Sequence, residues 1–449
     1  MSTSLTTPAV SSSPARAGTA SETDDERRKR LRTVVAASLL GTTIEWYDFF
    51  LYATAASLVF NKIFFPDQSS FTGTLLAFAT FAVGFVVRPI GGVVFGHIGD
   101  RIGRKRTLAL TMVLMGVATA LMGVLPTAAQ VGVAAPVLLL LMRILQGFAL
   151  GGEWAGAVLL AVEHSPARRR GIFGSIPQIG LAIGLALGTA VFALLQVAFD
   201  DSQFLAYGWR IAFLVSIVLV VVGFVVRLKV EETPAFTEVD ALAEKSSVPI
   251  KDVVLQPNTR NTILGLLARW GEGSAFNTWG VFAIAYATSS LHMNKVAVLV
   301  AVSIASVVMA VLLPVSGMLT DRYRPRQIYL AGMVAYGVSI YPVFALFGTA
   351  DLLWFTLGLV LVFGIVHALF YGAQGTFFAS LYPTRVRYTG LSVVYQFSGI
   401  YASGLTPLIL TALIGANHGS PWLAAGYLVL TAAISVVATA LVREKDLYF

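Results

Sequence analysis

The sequence predicts an all-α membrane protein: twelve transmembrane helices in two six-helix bundles. Three observations predict it. The 449 residues are 57% hydrophobic and only 12% charged, with mean hydropathy +0.78, whereas soluble domains are about 45–50% apolar and about 25% charged. Hydropathy resolves twelve apolar segments, each long enough to cross a bilayer of about 30 Å at about 1.5 Å per residue. One long polar interruption divides them six and six.

In chain order, residues 1–33 are rich in Ser, Thr and Ala, then in alternating acids and bases from Glu22 to Arg30, and read as a disordered cytoplasmic tail. The apolar stretch that follows is too long for a signal peptide and carries two acids, so it is expected to be retained as a helix. Spans 34–60, 71–97, 107–126, 134–162, 171–198 and 208–229 make the first bundle, 34–230. A central cytoplasmic loop, 231–260, carries Pro234, Pro249 and Pro257 and both charge signs. Spans 261–290, 296–319, 327–349, 352–381, 388–414 and 421–442 make the second bundle, 261–442, and 443–449 is a short cytoplasmic tail.

Lysine and arginine fix the expected orientation. If the N-terminus is cytoplasmic, 25 of the 31 basic residues fall on that side and only Lys62, Arg210 and Lys295 on the other. The positive-inside rule then places both termini in the cytoplasm of a cell (plasma or inner) membrane protein. The net charge of +8 is thus a topology signal, and nucleic acid is not an expected partner. With no cysteine, disulfides and thiolate chemistry are excluded. No soluble domain is present to act as an enzyme, and no G-x-x-x-x-G-K-S/T loop for nucleotide-driven transport.

The costliest stretch is Gly41 to Tyr52, G-T-T-I-E-W-Y-D-F-F-L-Y. Each acid near the middle of a span costs roughly 2.5–3.5 kcal/mol on insertion scales, so something must offset Glu45 and Asp48. Gly41, Glu45, Asp48 and Tyr52 follow i, i+4, i+7, i+11 spacing and share one stripe. That stripe is expected to face a protein interior or a water-filled cavity.

The two halves echo each other. Gly96 to Arg106 reads G-H-I-G-D-R-I-G-R-K-R, and Gly317 to Arg326 reads G-M-L-T-D-R-Y-R-P-R. Likewise Glu163 to Gly171 reads E-H-S-P-A-R-R-R-G, and Ser380 to Arg387 reads S-L-Y-P-T-R-V-R. Two repeats in the same orientation are implied, with a substrate site between them near mid-membrane.

The G-x-x-x-D-R-x-G-R-K loop resembles the signature of the major facilitator superfamily. Glu45 to Tyr52, Arg88-P-I-G-G, and Arg143 to Trp154 (R-I-L-Q-G-F-A-L-G-G-E-W) narrow the match to its metabolite:proton symporter group, across residues 30–443. That group carries citrate, 2-oxoglutarate, shikimate, other carboxylates, or proline and betaine. The resemblance implies spans 1, 4, 7 and 10 as cavity helices. It implies gating or latch roles for Gly96, Asp100, Arg101, Gly103, Arg104, Glu163, Arg170, Asp321, Arg322 and Arg387, with Arg88 near the gate. In the second copy Arg324 and Pro325 replace Gly and Arg of the motif, so the latch is expected to be asymmetric. The osmosensing proline/betaine members carry a long C-terminal coiled coil, and here only a short tail follows Val442.

The candidates for binding or proton coupling are Glu45, Asp48, Tyr52, Arg143, Gln146, Glu153, Arg269, Glu272, His367, Tyr371 and Gln374. The competing account of each is a buried pair or packed side chain that fixes helix register. Four span carboxylates against three guanidiniums leave one acid over if every arginine pairs, and an unpaired buried acid holds a proton more readily. Guanidinium in a cavity favours an anionic cargo. The expected function is proton-coupled symport of a small organic anion into the cytoplasm by alternating access, working as a monomer, with no cofactor and no metal. Arg269-W-G-Glu272 resembles the shikimate carriers more than the 2-oxoglutarate ones. Two alternatives stay open: a zwitterion symporter, and a proton-antiport exporter. The second usually carries a proline in span 5 where Gly180 to Gly188 has none.

Overall fold

The computed structural model describes residues 24–448 apart from 103, 153–157, 160, 163–164, 230–252, 254–257 and 385. Twelve spans are present. They are α1 (Asp24–Leu58), α2 (Ser70–Ile102), α3 (Arg104–Val124), α4 (Ala134–Ala149, prolonged by a 3-10 turn, Leu150–Gly152), α5 (Arg170–Ala198) and α6 (Trp209–Lys229) in the first half. The second half holds α7 (259–290), α8 (Lys295–Arg322), α9 (Pro325–Phe347), α10 (Leu352–Ser380), α11 (Arg387–Ala416) and α12 (Trp422–Leu441). Eight of these stretches are long and apolar enough to cross a membrane, and shorter apolar helices cover 109–124 and 134–149. The remaining two spans, α1 and α7, are, among the described residues, the ones that bury acids together with their apolar residues.

Several spans depart from α geometry. Among the described residues α7 contains π-helical turns at Thr278–Phe282 and Tyr286–Ser290, α10 one at Val360–Val366 and α11 one at Gly399–Gly404, while the first half has one, Phe204–Gly208, leading into α6. Such turns are rare and concentrate at functional sites. Prolines meet the spans in two ways. Pro89, Pro177 and Pro314 do sit inside α2, α5 and α8, but Pro407 opens a fresh helical segment just past the π turn of α11, where its missing N–H costs nothing.

The halves meet along α5 and α8, α2 and α11, α1 and α7, and α5 and α10. Within the first half α5 lies on α1; a Cβ on Gly184 would come within 2.7 Å of the Tyr47 backbone nitrogen, which is why a glycine stands there. An even number of spans puts both termini on one face. There, Asp321 at the end of α8 accepts the backbone N–H groups of Gly171 (2.6 Å) and Ile172 (3.1 Å) in the first turn of α5. One half thereby caps a helix of the other, satisfying two of its orphan donors with a negative charge at the positive dipole end. Gly171 permits the contact, since a Cβ would meet the Gly317 carbonyl oxygen at 2.3 Å. Gln396 of α11 donates to the Gly151 carbonyl of the first half on the same side of the molecule. On the opposite face Ser57 donates to the Val281 carbonyl at 3.3 Å, and Lys295 to Asp201 at 2.8 Å. The halves therefore touch at both faces.

Candidate functional site

The Gly41–Tyr52 stripe turns into the first half. On the helical wheel Asp48 and Tyr52 lie roughly opposite Phe50, and Phe50 is the residue that reaches the other half, stacking on Phe276 of α7 at 5.2 Å between centroids. Asp48 is fully buried, and neither carboxylate oxygen has a hydrogen-bond partner. Ser216 of α6 is close enough to act on it, but does not reach hydrogen-bond geometry and is itself unpartnered. Glu45 is buried too.

Arg143 of α4 is completely buried. Its Nη1 donates to Gln146 Oε1, and its Nη2 to the Phe81 carbonyl at 3.4 Å. The guanidinium carbon stands 4.4, 4.3 and 4.7 Å from the ring centroids of Phe49, Tyr52 and Phe81, and Nε has no partner. Gln146 passes the arrangement on: its Nε2 donates to the Asp48 backbone carbonyl at 3.2 Å and to Thr119 Oγ1 at 2.9 Å. Tyr52 is held by its own hydroxyl bond to Thr80, 2.7 Å. Arg143, Gln146 and the Asp48 backbone thus form one connected unit inside the first half.

Close packing of α2 on α4 builds this nest. A Cβ on Gly84 would lie 2.5 Å from Arg143 Nε and 3.0 Å from Cζ. Gly84→Ala is therefore expected to push the guanidinium off its rings while the membrane level of the protein holds. Overpacking of this kind costs about 1–3 kcal/mol, so the KM for cargo should rise about 5- to 150-fold. An unchanged KM in reconstituted vesicles would refute the placement.

Arg88 lies over the rings of Phe49 (4.4 Å) and Phe85 (4.2 Å) and is within electrostatic reach of Tyr395 and Arg269 of the second half. Its Nε and Nη2 are buried without a partner. In the second half Arg269 Nη2 stands 3.2 Å from Glu272 Oε2, an ion-pair distance that falls short of hydrogen-bond geometry. Arg269 Nη1 donates to Ser398 Oγ at 3.0 Å, and the guanidinium sits 3.8 Å from the Tyr395 ring centroid. Of the three arginines buried in the middle of spans, Arg88, Arg143 and Arg269, the last alone has a carboxylate partner among the described residues. The count of acids against arginines is conditional on every guanidinium pairing; among the described residues Arg88 and Arg143 instead lie on aromatic faces, which attract a desolvated cation by their quadrupoles.

On α10 His367 is fully buried among Phe276, Phe363, Phe370 and Tyr371, and neither ring nitrogen has a partner. Both amide atoms of Gln374 are likewise buried and unpartnered, and so is Asn277 Oδ1 of α7. Buried polar groups are normally satisfied, so these atoms are candidates to meet something polar. Among the described residues no group of three His, Asp or Glu could hold a metal ion.

Of the latch residues, Asp321 makes the contact already given, Arg170 offers its carbonyl to Thr376 at 3.5 Å, and Arg322 lies beside the Tyr323 ring. Arg387 is turned to its own half, its Nε donating to the Tyr382 carbonyl at 3.1 Å. Gly103, Glu153 and Glu163 lie outside the described residues, as do the side-chain positions of Gly96, Asp100, Arg101 and Arg104. Sequence reasoning did not single out Phe49, Phe85, Phe276, Thr119 or Ser216. The aromatic density of W-Y-D-F-F-L-Y was the available signal for the first of them.

Two six-helix halves with unsatisfied polar groups between and within them define a membrane transporter. Residues 33–251 match the "Sugar (and other) transporter" family model and residues 267–447 that of the "Major Facilitator Superfamily". The chain is 37% identical over 420 residues to the shikimate transporter of Escherichia coli (strain K12), covering 93% of this chain and 95% of that one. It is 38% identical over 426 residues to the inner membrane metabolite transport protein YhjE of the same organism, covering 92% and 94%. The proline/betaine transporter of that organism is 32% identical over 426 residues, covering 92% and 84%. A D-xylose-proton symporter shares the fold, with a TM-score of 0.71 at 18% identity over 91% of this chain and 96% of that one. The chain belongs to the major facilitator superfamily, and is a multi-pass membrane transporter, not an enzyme.

Proposed function

We propose that the chain is a monomeric proton-coupled symporter that brings a small organic anion, a hydroxylated carboxylate of the shikimate kind, into the cytoplasm. The observation that carries this reading is the pair Arg88 and Arg143, buried guanidiniums with unpartnered donors and, among the described residues, no carboxylate on either. A carboxylate arriving between the halves completes their charge, because a guanidinium offers it a planar fork of donors. His367, Gln374 and Asn277 supply neutral hydrogen-bonding groups suited to hydroxyls. Asp48 is the proton carrier: an unpartnered acid in apolar surroundings is far less costly neutral than charged, and Gln146 ties its backbone to Arg143. Both termini are cytoplasmic, on the count of basic residues, so the Asp321 latch closes the inner face.

A zwitterion such as betaine would also bring a carboxylate, and a similar protein is named a proline/betaine transporter. Its cation would need aromatic faces or an acid, and the rings of Phe49, Phe81 and Phe85 are already taken by guanidiniums. Uptake of labelled shikimate, 2-oxoglutarate, citrate, proline and betaine into proteoliposomes, with and without an imposed pH gradient, tests this. Gradient-stimulated uptake of a carboxylate is expected. Uptake of betaine alone, or uptake indifferent to the gradient, would reject it.

A further inference from the structure

The face opposite the termini has three basic residues, Lys62, Arg210 and Lys295. Arg210 is engaged by its own half: Nη1 donates to the carbonyls of Gly123 (3.0 Å) and Leu125 (2.7 Å) at the end of α3. That leaves two lysines from different halves. Lys62 belongs to the short helix Phe60–Ile63 after α1, and Lys295 opens α8. Partial burial, and then the nearby Lys295 charge, hold the Lys62 ammonium below the usual lysine range.

Asp201 of the first half stands at this junction. Lys295 Nζ donates to its Oδ1 at 2.8 Å, and its charge is also felt by Lys62. The neighbouring Asp200 is spent on the turn itself, accepting from Gln203 N at 2.8 Å and Ser202 Oγ at 2.6 Å. Asp201 is the acid that reaches across, with 74% of its side chain exposed. An exposed pair of this kind adds little to stability, so it is a poor lock. It is, however, readily exchanged. Asp201 and Lys62 belong to the first half and Lys295 to the second, so a parting of the halves at this face would strip Lys295 of its counter-charge.

We propose that Lys295 is a docking site for the cargo's carboxylate at the outer mouth, that Asp201 occupies this site in the closed form as the cargo's surrogate, and that Lys62 takes up Asp201 in the open form. Reclosure then requires Asp201 to displace the docked anion, sending it inward. The proposal deepens the reading of the cargo as a small organic anion and rests on it.

The two partners make opposite predictions. With shikimate, 2-oxoglutarate and citrate as probe anions at low ionic strength, Lys295→Gln should raise KM about three- to tenfold with maximal rate retained, by loss of local attraction. Asp201→Asn, which removes the competitor, should lower it. Lys62→Gln should raise it, because Asp201 then stays on Lys295. All three effects should shrink near physiological salt, where the Debye length is about 8 Å. A pair serving only to hold the face shut would move KM in the same direction for Lys295→Gln and Asp201→Asn, and that result, or shifts indifferent to salt, overturns the proposal while wild-type anion uptake leaves the anion reading standing. Wild-type protein that carries none of the three probes overturns the anion reading and this site with it.

Discussion

Replacing Asp48 by asparagine is expected to abolish accumulation driven by a pH gradient while leaving the protein in the membrane and able to exchange cargo across it. Asparagine has nearly the shape of the protonated acid, so the buried site between α1 and α6 keeps its packing and loses only the proton. Each pH unit of gradient is worth about 1.4 kcal/mol per proton, or about tenfold accumulation. The variant's ratio of internal to external cargo should therefore fall to about one at any imposed gradient. Removing a buried acid whose two oxygens have no donors should also leave thermal stability equal or higher. Accumulation that persists in the variant would transfer the proton to another acid, with Glu45 and Glu272 as the buried candidates.

Arg143→Gln is expected to reduce carboxylate uptake by a larger factor than any other single change in the first half. Charged hydrogen bonds contribute about 1.5–3 kcal/mol each, so loss of even one to the cargo is about 10- to 150-fold in KM. Arg143→Lys should fare little better. A lysine's compact ammonium cannot address Gln146, the Phe81 carbonyl and a cargo carboxylate at once from among three rings. Surface labelling of cells that express each variant separates lost transport from lost protein. Normal uptake by either would remove Arg143 from the site.

Much of this was legible in the sequence, for reasons that differ by residue. The spans were legible because crossing a bilayer demands length and apolarity, which composition records directly. Asp48 and Arg143 were legible because a charge inside a span is expensive, and so stands out. Their orientation was not. The wheel put Glu45, Asp48 and Tyr52 on one stripe, yet it could not say that this stripe faces Ser216 and Gln146 within the first half while Phe50 faces Phe276 across the gap. Counting acids against arginines likewise assumed that charge meets charge, and the rings of Phe49 and Phe85 were invisible to that sum. The π turns left no trace because they depend on how α7, α10 and α11 pack, and not on any local residue signal.

Those turns divide the labour of the two halves mechanically. A π turn interrupts the regular α-helical hydrogen-bond ladder, and of the five among the described residues four lie in the second half. Thr278 follows Phe276 by two residues, and His367 comes directly after Val366, so π turns adjoin side chains proposed to meet the cargo there. In contrast α1 runs as unbroken α-helix from Asp24 to Leu58 through Asp48. On the proposed reading, the half that grips the cargo carries the π turns, and the half that holds the proton presents it on unbroken α-helix. On that reading a cargo of slightly different shape would be met by bending α7 or α10 without disturbing the acid, which suits a scaffold whose similar proteins are named for chemically different metabolites.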